Sequence, residues 1–168
     1  MTMISLRAPE IEDLDFLYTL ENDPQAAEAA FTTAPMSRFM LRSYLENYDA
    51  DFFAAKQLRL IITDSQTSAK VGCVDISDYI PRDRRAFVGI AIAPQYRGRG
   101  YAKAALTQIC QYASSVLGLH QLAAQISIDN SASIHIFKQQ GFKPCGKLRS
   151  WIRHGNSYTD ALIFQKLF

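Results

Sequence analysis

Apolar positions recur at two periods along this chain, and the switches between them lay out its elements. A short run at residues 5–8 predicts a strand, after which Ile11, Leu14, Leu17 and Tyr18 share one face of a helix over residues 10–22. Ser37 can cap a second helix that runs towards Asp51. Residues 58–63 and 70–80 flank the turn Asp64-Ser65-Gln66-Thr67-Ser68 and read as a hairpin, and a turn at residues 81–83 leads to a further strand over 84–92. Ala102, Ala105, Leu106, Ile109, Cys110 and Ala113 then form an i, i+3, i+4 stripe on a helix over 101–117, which Gly118 stops. Residues 122–128 suit a buried strand, Asp129-Asn130-Ser131 caps a helix ending at Gly141, and two closing strands cover 143–153 and 157–168. The order β-α-α-β-β-β-α-β-α-β-β predicts a mixed α/β sheet, and with no repeat or linker the whole chain, 1–168, reads as a single domain.

Composition narrows the class without naming it. The chain has 168 residues, 48% hydrophobic and 20% charged, which suits one globular domain. There is no basic leader before an apolar run and no stretch near the ~20 apolar residues a span requires, so a soluble, cytoplasmic protein with no membrane partner is expected. Cys73, Cys110 and Cys145 are odd in number and widely spaced, which fits small core residues better than a disulfide framework or zinc site. None of His120, His135 and His154 lies three or four residues from another, so no metal is expected.

Charge is segregated. Ten of the sixteen acids fall in the first 51 positions against three arginines, while no acid occurs from Arg84 through Ile128, a stretch that holds Arg97, Arg99 and Lys103. That stretch is built to face an anion. The basic remainder raises the thought of nucleic acid, but no recognition motif accompanies it and the cations straddle a glycine loop, so nucleic acid is not an expected partner.

That loop carries the chemistry. An apolar strand ending at Pro94 runs into Gln95-Tyr96-Arg97-Gly98-Arg99-Gly100, and a helix starts at once with Tyr101. Free N–H groups and the positive helix end converge there, in outline a phosphate site. A Walker A loop would need Gly-Lys-Ser/Thr, and Gly100 is followed by Tyr101-Ala102; a dinucleotide fingerprint needs a small residue where Lys103 stands and an acid about 20 residues on. Both readings fail on named residues.

Q-x-x-G-x-G after such a strand resembles the pyrophosphate loop of the GNAT acyltransferase superfamily. Asn130-Ser131-Ala132-Ser133-Ile134-His135-Ile136-Phe137-Lys138-Gln139-Gln140-Gly141-Phe142 is similar to that family's second cofactor segment. Tyr158-Thr159-Asp160 recurs in its branches acting on ribosomal-protein N-termini and polyamines, and Arg84-Arg85 with His135-Ile136 looks closest to the spermidine N-acetyltransferase branch. The resemblance implies a GNAT fold, a central, mostly antiparallel sheet of about seven strands with flanking helices. It also implies an acetyl-CoA-dependent N-acetyltransferase. Ile90, Ala91 and Ile92 would pair with the pantetheine arm; Gln95, Arg97, Gly98, Arg99, Gly100, Tyr101 and Ala102 would hold the pyrophosphate; Asn130, Ser133, Phe137 and Lys138 would close the site. The side chains of Arg97, Arg99 and Lys103 either serve the phosphates or are solvated surface charge.

Acetyl transfer needs a neutral amine, stabilisation of an oxyanion and a thiol that can leave. No Ser-His-Asp or Cys-His arrangement is evident, so direct attack by the amine is preferred to an acyl-enzyme. The family's acid tyrosine is replaced by Phe137, for which Tyr158 or water could substitute, and the strand after Arg84 has no acid, leaving Asp75 as candidate base or amine contact. On a regular strand Asp75 and Ser77 share a face and Asp78 lies on the other. Polyamines and peptide or protein N-termini are the leading acceptors, with Glu28 and Asp75 as candidate contacts. The alternative is a non-catalytic acyl-CoA-binding sensor. Members of the family commonly form dimers or larger assemblies, so a homo-oligomer is among the states the resemblance allows.

Overall fold

The computed structural model describes residues 3–24 and 34–168. In chain order the elements are β1 (Ile4–Arg7), a 3-10 turn (Ile11–Asp13), α1 (Leu14–Glu21), α2 (Arg38–Glu46), α3 (Phe52–Ala55), β2 (Leu58–Asp64), β3 (Lys70–Ile80) and β4 (Arg85–Ile92), then α4 (Tyr101–Ser115), β5 (Gln121–Ser127), α5 (Ser131–Gln139), β6 (Lys143–His154) and β7 (Ser157–Leu167). The seven strands form one sheet in the order β1-β2-β3-β4-β5-β7-β6, antiparallel except for the β4–β5 pair.

Side-chain alternation sorts the two faces. On β2, Leu58, Leu60 and Ile62 turn towards α4, whose predicted stripe of Ala105, Leu106, Ile109, Cys110 and Ala113 is buried against them. Two alanines in that stripe let the helix backbone come close to the sheet, and Leu106 and Ile109 each contribute roughly 1.5–3 kcal/mol by burial. The alternate residue Ile61 packs on the other face with Leu17, Leu41 and Leu45 of α1 and α2.

Departures from the sequence expectations have local causes. Ile11 is 40% exposed because the first turn is 3-10: Glu10 and Asp13 form a reciprocal capping box, and the tighter winding rotates Ile11 off the stripe. Asp13 is fully buried, receiving Arg7 at 2.7 and 2.8 Å, Lys70 at 2.8 Å and the Glu10 N–H at 2.8 Å, and so fastens β1, β3 and the approach to α1. The second helix begins as expected, with Ser37 Oγ accepting from Met40 N, but stops at Glu46. Asp51 instead caps α3 by accepting from the Phe53 and Ala54 N–H groups.

Candidate active site

The antiparallel ladder of β4 with β3 runs to Gly72↔Ile92, and that of β5 with β7 to Ser127↔Ala161. Between β4 and β5 only three rungs form, Arg85↔Gln121, Ala86↔Leu122 and Phe87↔Ala123. Beyond Phe87 the two strands part, and the facing margins of Val88 to Ile92 and Ala124 to Ser127 are left without ladder partners. A splay of this kind offers backbone donors and acceptors to an extended ligand.

Two cavities meet at the splay. The smaller, about 360 Å³, is lined by β5, Asn130, Ser133 and Phe137 of the α5 segment, and Ile152 and His154 of β6. The larger, about 840 Å³, lies on the α1–α2 side and holds Glu21, Arg59, Asp75 and Asp78 among apolar walls. Val88, Gly89, Ile90 and Gln125 line both.

The glycine loop follows β4. Pro94–Tyr96 forms a 3-10 turn, and Gly98 and Gly100 adopt φ of 75° and 84°, the left-handed region that glycine enters without a Cβ penalty. Gly100 is the N-cap of α4 and supplies no side-chain cap, so the first-turn N–H groups remain available to a ligand. Tyr101 Oη donates to Asp64 Oδ2 at 2.7 Å, tying the start of α4 to the β2–β3 turn. That bond, with the Thr67 and Gln66 N–H groups, holds the Asp64 carboxyl low, at about 2, and pushes the Tyr101 hydroxyl up. Arg99 lies 5.8 Å from the Tyr96 ring centre, and Lys103 is exposed on α4 beside the loop. The Arg97 backbone stays in the loop, but its guanidinium turns back to Asp23 at 2.6 Å and the Ile92 carbonyl at 2.9 Å, joining the loop to the end of α1.

Asn130 caps α5, its Oδ1 accepting from Ser133 N at 3.1 Å, and Asn130, Ser133 and Phe137 all reach the smaller cavity. Phe137 is buried edge-on to Phe142, ring centres 5.0 Å apart. Ile90 lines both cavities and Ala91 the larger, whereas Gln95 and Lys138 are exposed and line neither.

In the larger cavity the register places Arg59, Asp75 and Gly89 side by side on β2, β3 and β4. Arg59 binds Asp75 through two bonds of 2.7 and 2.9 Å and Glu21 through a third of 2.6 Å. Burial opposes the charge on Arg59, but Asp75 and Glu21 outweigh it and hold the guanidinium protonated. Gly89 puts no side chain beside Asp75, and the space a Cβ would take is open. Asp78 corrects the strict alternation expected of this strand. The β3–β4 register shifts between Ser77 and Ile80, Asp78 sits at φ 52°, and this bulge sets it on the same cavity as Asp75 and Ser77, with Ser77 Oγ donating to it at 3.1 Å.

Tyr158 is 61% exposed and lines neither cavity. Its neighbours do architectural work instead: Thr159 donates to Asp129 at 2.8 Å, and Asp160 accepts from Ser150 N at 2.8 Å and pairs with Lys147 at 2.7 Å. Glu28 lies outside the described residues. His154, weighed in the sequence only as a metal ligand, lines the smaller cavity, a place that depends on how β6 bends and that no local motif reveals. Among the described residues no cluster of three or more His, Cys, Asp or Glu side chains forms a metal site, and no helix is long and apolar enough to cross a membrane.

Comparison with known proteins identifies the fold and the family. The spermidine N(1)-acetyltransferase of Vibrio cholerae is 26% identical over 95% of this chain and 90% of its own length, and that of Escherichia coli K12 is 29% identical over 96% and 86%. The crystal structure of the Vibrio cholerae spermidine N-acetyltransferase in complex with CoA and spermine superposes with a TM-score of 0.88 at 24% identity, over 98% of this chain and 95% of that one, and so shares its fold. Residues 4–143 match the acetyltransferase (GNAT) domain, and the chain belongs to that family.

Proposed function

We propose that the acceptor of this acetyl-CoA-dependent N-acetyltransferase is a polyamine, attacked directly through one of its primary amines. The larger cavity carries the reading: Glu21, Asp75 and Asp78 outnumber Arg59, and the walls between them include Met36, Met40, Tyr44 and Phe87. Fixed negative charge set in an apolar sleeve suits a chain of methylenes that bears ammonium groups. Two relatives matched over nearly the whole chain carry the name spermidine N(1)-acetyltransferase, which supports the same acceptor class. Acetyl-CoA enters from the other side, its pantetheine on the free margin of β4 and its pyrophosphate on the loop from Arg97 to Ala102.

Direct attack is supported by the state of the thiols. Burial pushes Cys73 up strongly and Cys110 up to about 11, far from the thiolate a nucleophile needs, and Cys145 lies on β6 away from both cavities. All three are free, in keeping with action in the cytoplasm. Asp75, gripped by Arg59, keeps acceptor lone pairs on its carboxylate and is assigned to orienting the amine, with water taking its proton. Residues 1–168 act as one catalytic domain on this reading, since a single sheet joins β1 to β7.

Thiol release from acetyl-CoA, followed with spermidine, spermine, short peptides with free N-termini and an aminoglycoside, tests the acceptor. Polyamines are expected to exceed the peptides in kcat/KM by about tenfold or more, since a hydrogen bond to a charged group is worth about 1.5–3 kcal/mol. Preference for the peptides would overturn the acceptor. Tight acetyl-CoA binding without turnover on any amine would instead favour a sensor.

A further inference from the structure

The position at which this family carries its acid tyrosine is Phe137, which can give no proton to a departing thiolate. Its ring lines the smaller cavity, and so do six polar side chains: Gln125, Ser127, Asp129, Asn130, Ser133 and His154. Amides do not ionise near neutral pH, and serine hydroxyls hold their protons too tightly. Asp129 is an acceptor, engaged by Thr159 Oγ1 at 2.8 Å, and Asn130 Oδ1 accepts from Ser133 N. Imidazole alone among them carries and releases a proton around neutral pH.

The fold places that imidazole by a specific device. Leu148 pairs with Ala161 and Ile152 with Thr159, so β6 has two more residues than β7 between these rungs. The surplus is taken up at Ser150, which adopts φ 48° and donates its N–H to Asp160 Oδ1. Such a bulge bends a strand. Beyond it, Ile152 and His154 both line the cavity, while Trp151 and Arg153 face outwards. Thr159 and Asp160 hold the arrangement, the first to the α5 approach through Asp129 and the second through Ser150 and Lys147. The Tyr158-Thr159-Asp160 motif thereby gains a purpose its exposed tyrosine does not supply.

We propose that His154, reaching the cavity that Phe137 shares, is the acid that protonates the departing thiolate of CoA. The assignment rests on the acetyl-transfer reading above. The amine nitrogen forms a bond to the thioester carbonyl carbon, and the carbonyl π pair moves to oxygen. When C=O re-forms, the C–S bond breaks, sulfur leaves with the electron pair and takes a proton from the His154 imidazolium. The surplus proton on nitrogen passes to water, and His154 regains its own from solvent. Of the groups lining this cavity, Asp129 is the other titratable one; from β7, Asp160 faces the bulge and is paired with Lys147, and on β6 Arg153 Nε donates to the Gly155 carbonyl.

The test compares the wild type, H154Q, Phe137→Tyr and the double variant, with steady-state kinetics from pH 6 to 10 on the best amine and with acetyl-CoA binding by calorimetry. General acid catalysis is worth at least about 10²-fold, so H154Q is expected to lower kcat by roughly that factor while acetyl-CoA affinity and the amine KM hold. Wild-type kcat should fall towards high pH, and that fall should be absent in H154Q. Restoring the family's phenol in the double variant should recover about tenfold or more of kcat. An active wild type whose H154Q variant keeps both its kcat and its alkaline limb overturns the assignment alone. Loss of acetyl-CoA affinity and melting temperature with an unchanged pH profile would make His154 structural and overturn it equally. A wild type that turns over no amine would bring down the acetyl-transfer reading and this assignment with it.

Discussion

The residues that matter most are polar groups whose partners come from distant segments. Asp13 reads in the sequence as one more acid on an acidic helix, yet it is the fully buried meeting point of Arg7, Lys70 and the Glu10 N–H. Burial favours its neutral form, but those partners outweigh it and hold the carboxyl well below the usual carboxylate range. Its stabilisation is therefore complete above about pH 4 and is lost as pH falls through the depressed value. Asp13→Asn should cost about 2 kcal/mol or more at pH 7, because Arg7 and Lys70 lose their anion, and should flatten the acid limb of stability. Melting curves from pH 7 to pH 2 check both. The same long-range logic explains why Asp75 could be singled out from its strand while its Arg59 partner could not: the pairing is a matter of register across β2 and β3. Phe137 was the opposite case, an absence legible in one position of one motif.

At the scale of elements the sequence was most informative where a local signal sufficed. Gly118 and Gly141 end α4 and α5 at positive φ, Ser37 and Asn130 cap their helices, and the stripe on α4 is buried as its period requires. Departures came at the bulge near Asp78 and at the 3-10 start of α1, because bulges and tight turns follow from neighbouring contacts rather than from period. The glycine loop after β4 combines both kinds of determinant: its glycines are visible as letters, while the Tyr101–Asp64 and Arg97–Asp23 fastenings join it to segments 37 and 74 residues away. Gly100→Ala would force an L-residue to φ 84° at a cost of about 1–2 kcal/mol. Calorimetry should find acetyl-CoA binding weakened several-fold or more, with kcat at saturation close to wild type.

Across the whole molecule, the fold gathers acids from both the acidic first third and the basic remainder of the chain on one side of the sheet. Glu21, Asp75 and Asp78 line the larger cavity, while Arg99 and Lys103 sit at the glycine loop and the start of α4. A polycation should be drawn to the larger cavity by a field that salt screens, with the Debye length falling from about 10 Å at 0.1 M to about 3 Å at 1 M. Raising ionic strength across that range should lower kcat/KM for spermine by about tenfold or more, through KM, and leave that for a monoamine much less changed. The short β4–β5 ladder has one more consequence. A strand margin without partners is normally the place where a second polypeptide adds on and aggregation begins, and proteins blunt it at the rim of a sheet. Here such margins lie mid-sheet, in a wedge hinged at Phe87 and Ala123. To admit another strand, the wedge would have to open to about twice the usual 4.8 Å spacing. A slender, single-file molecule needs no such opening, so the fold sorts its visitors by girth and keeps a sticky edge out of reach of other chains.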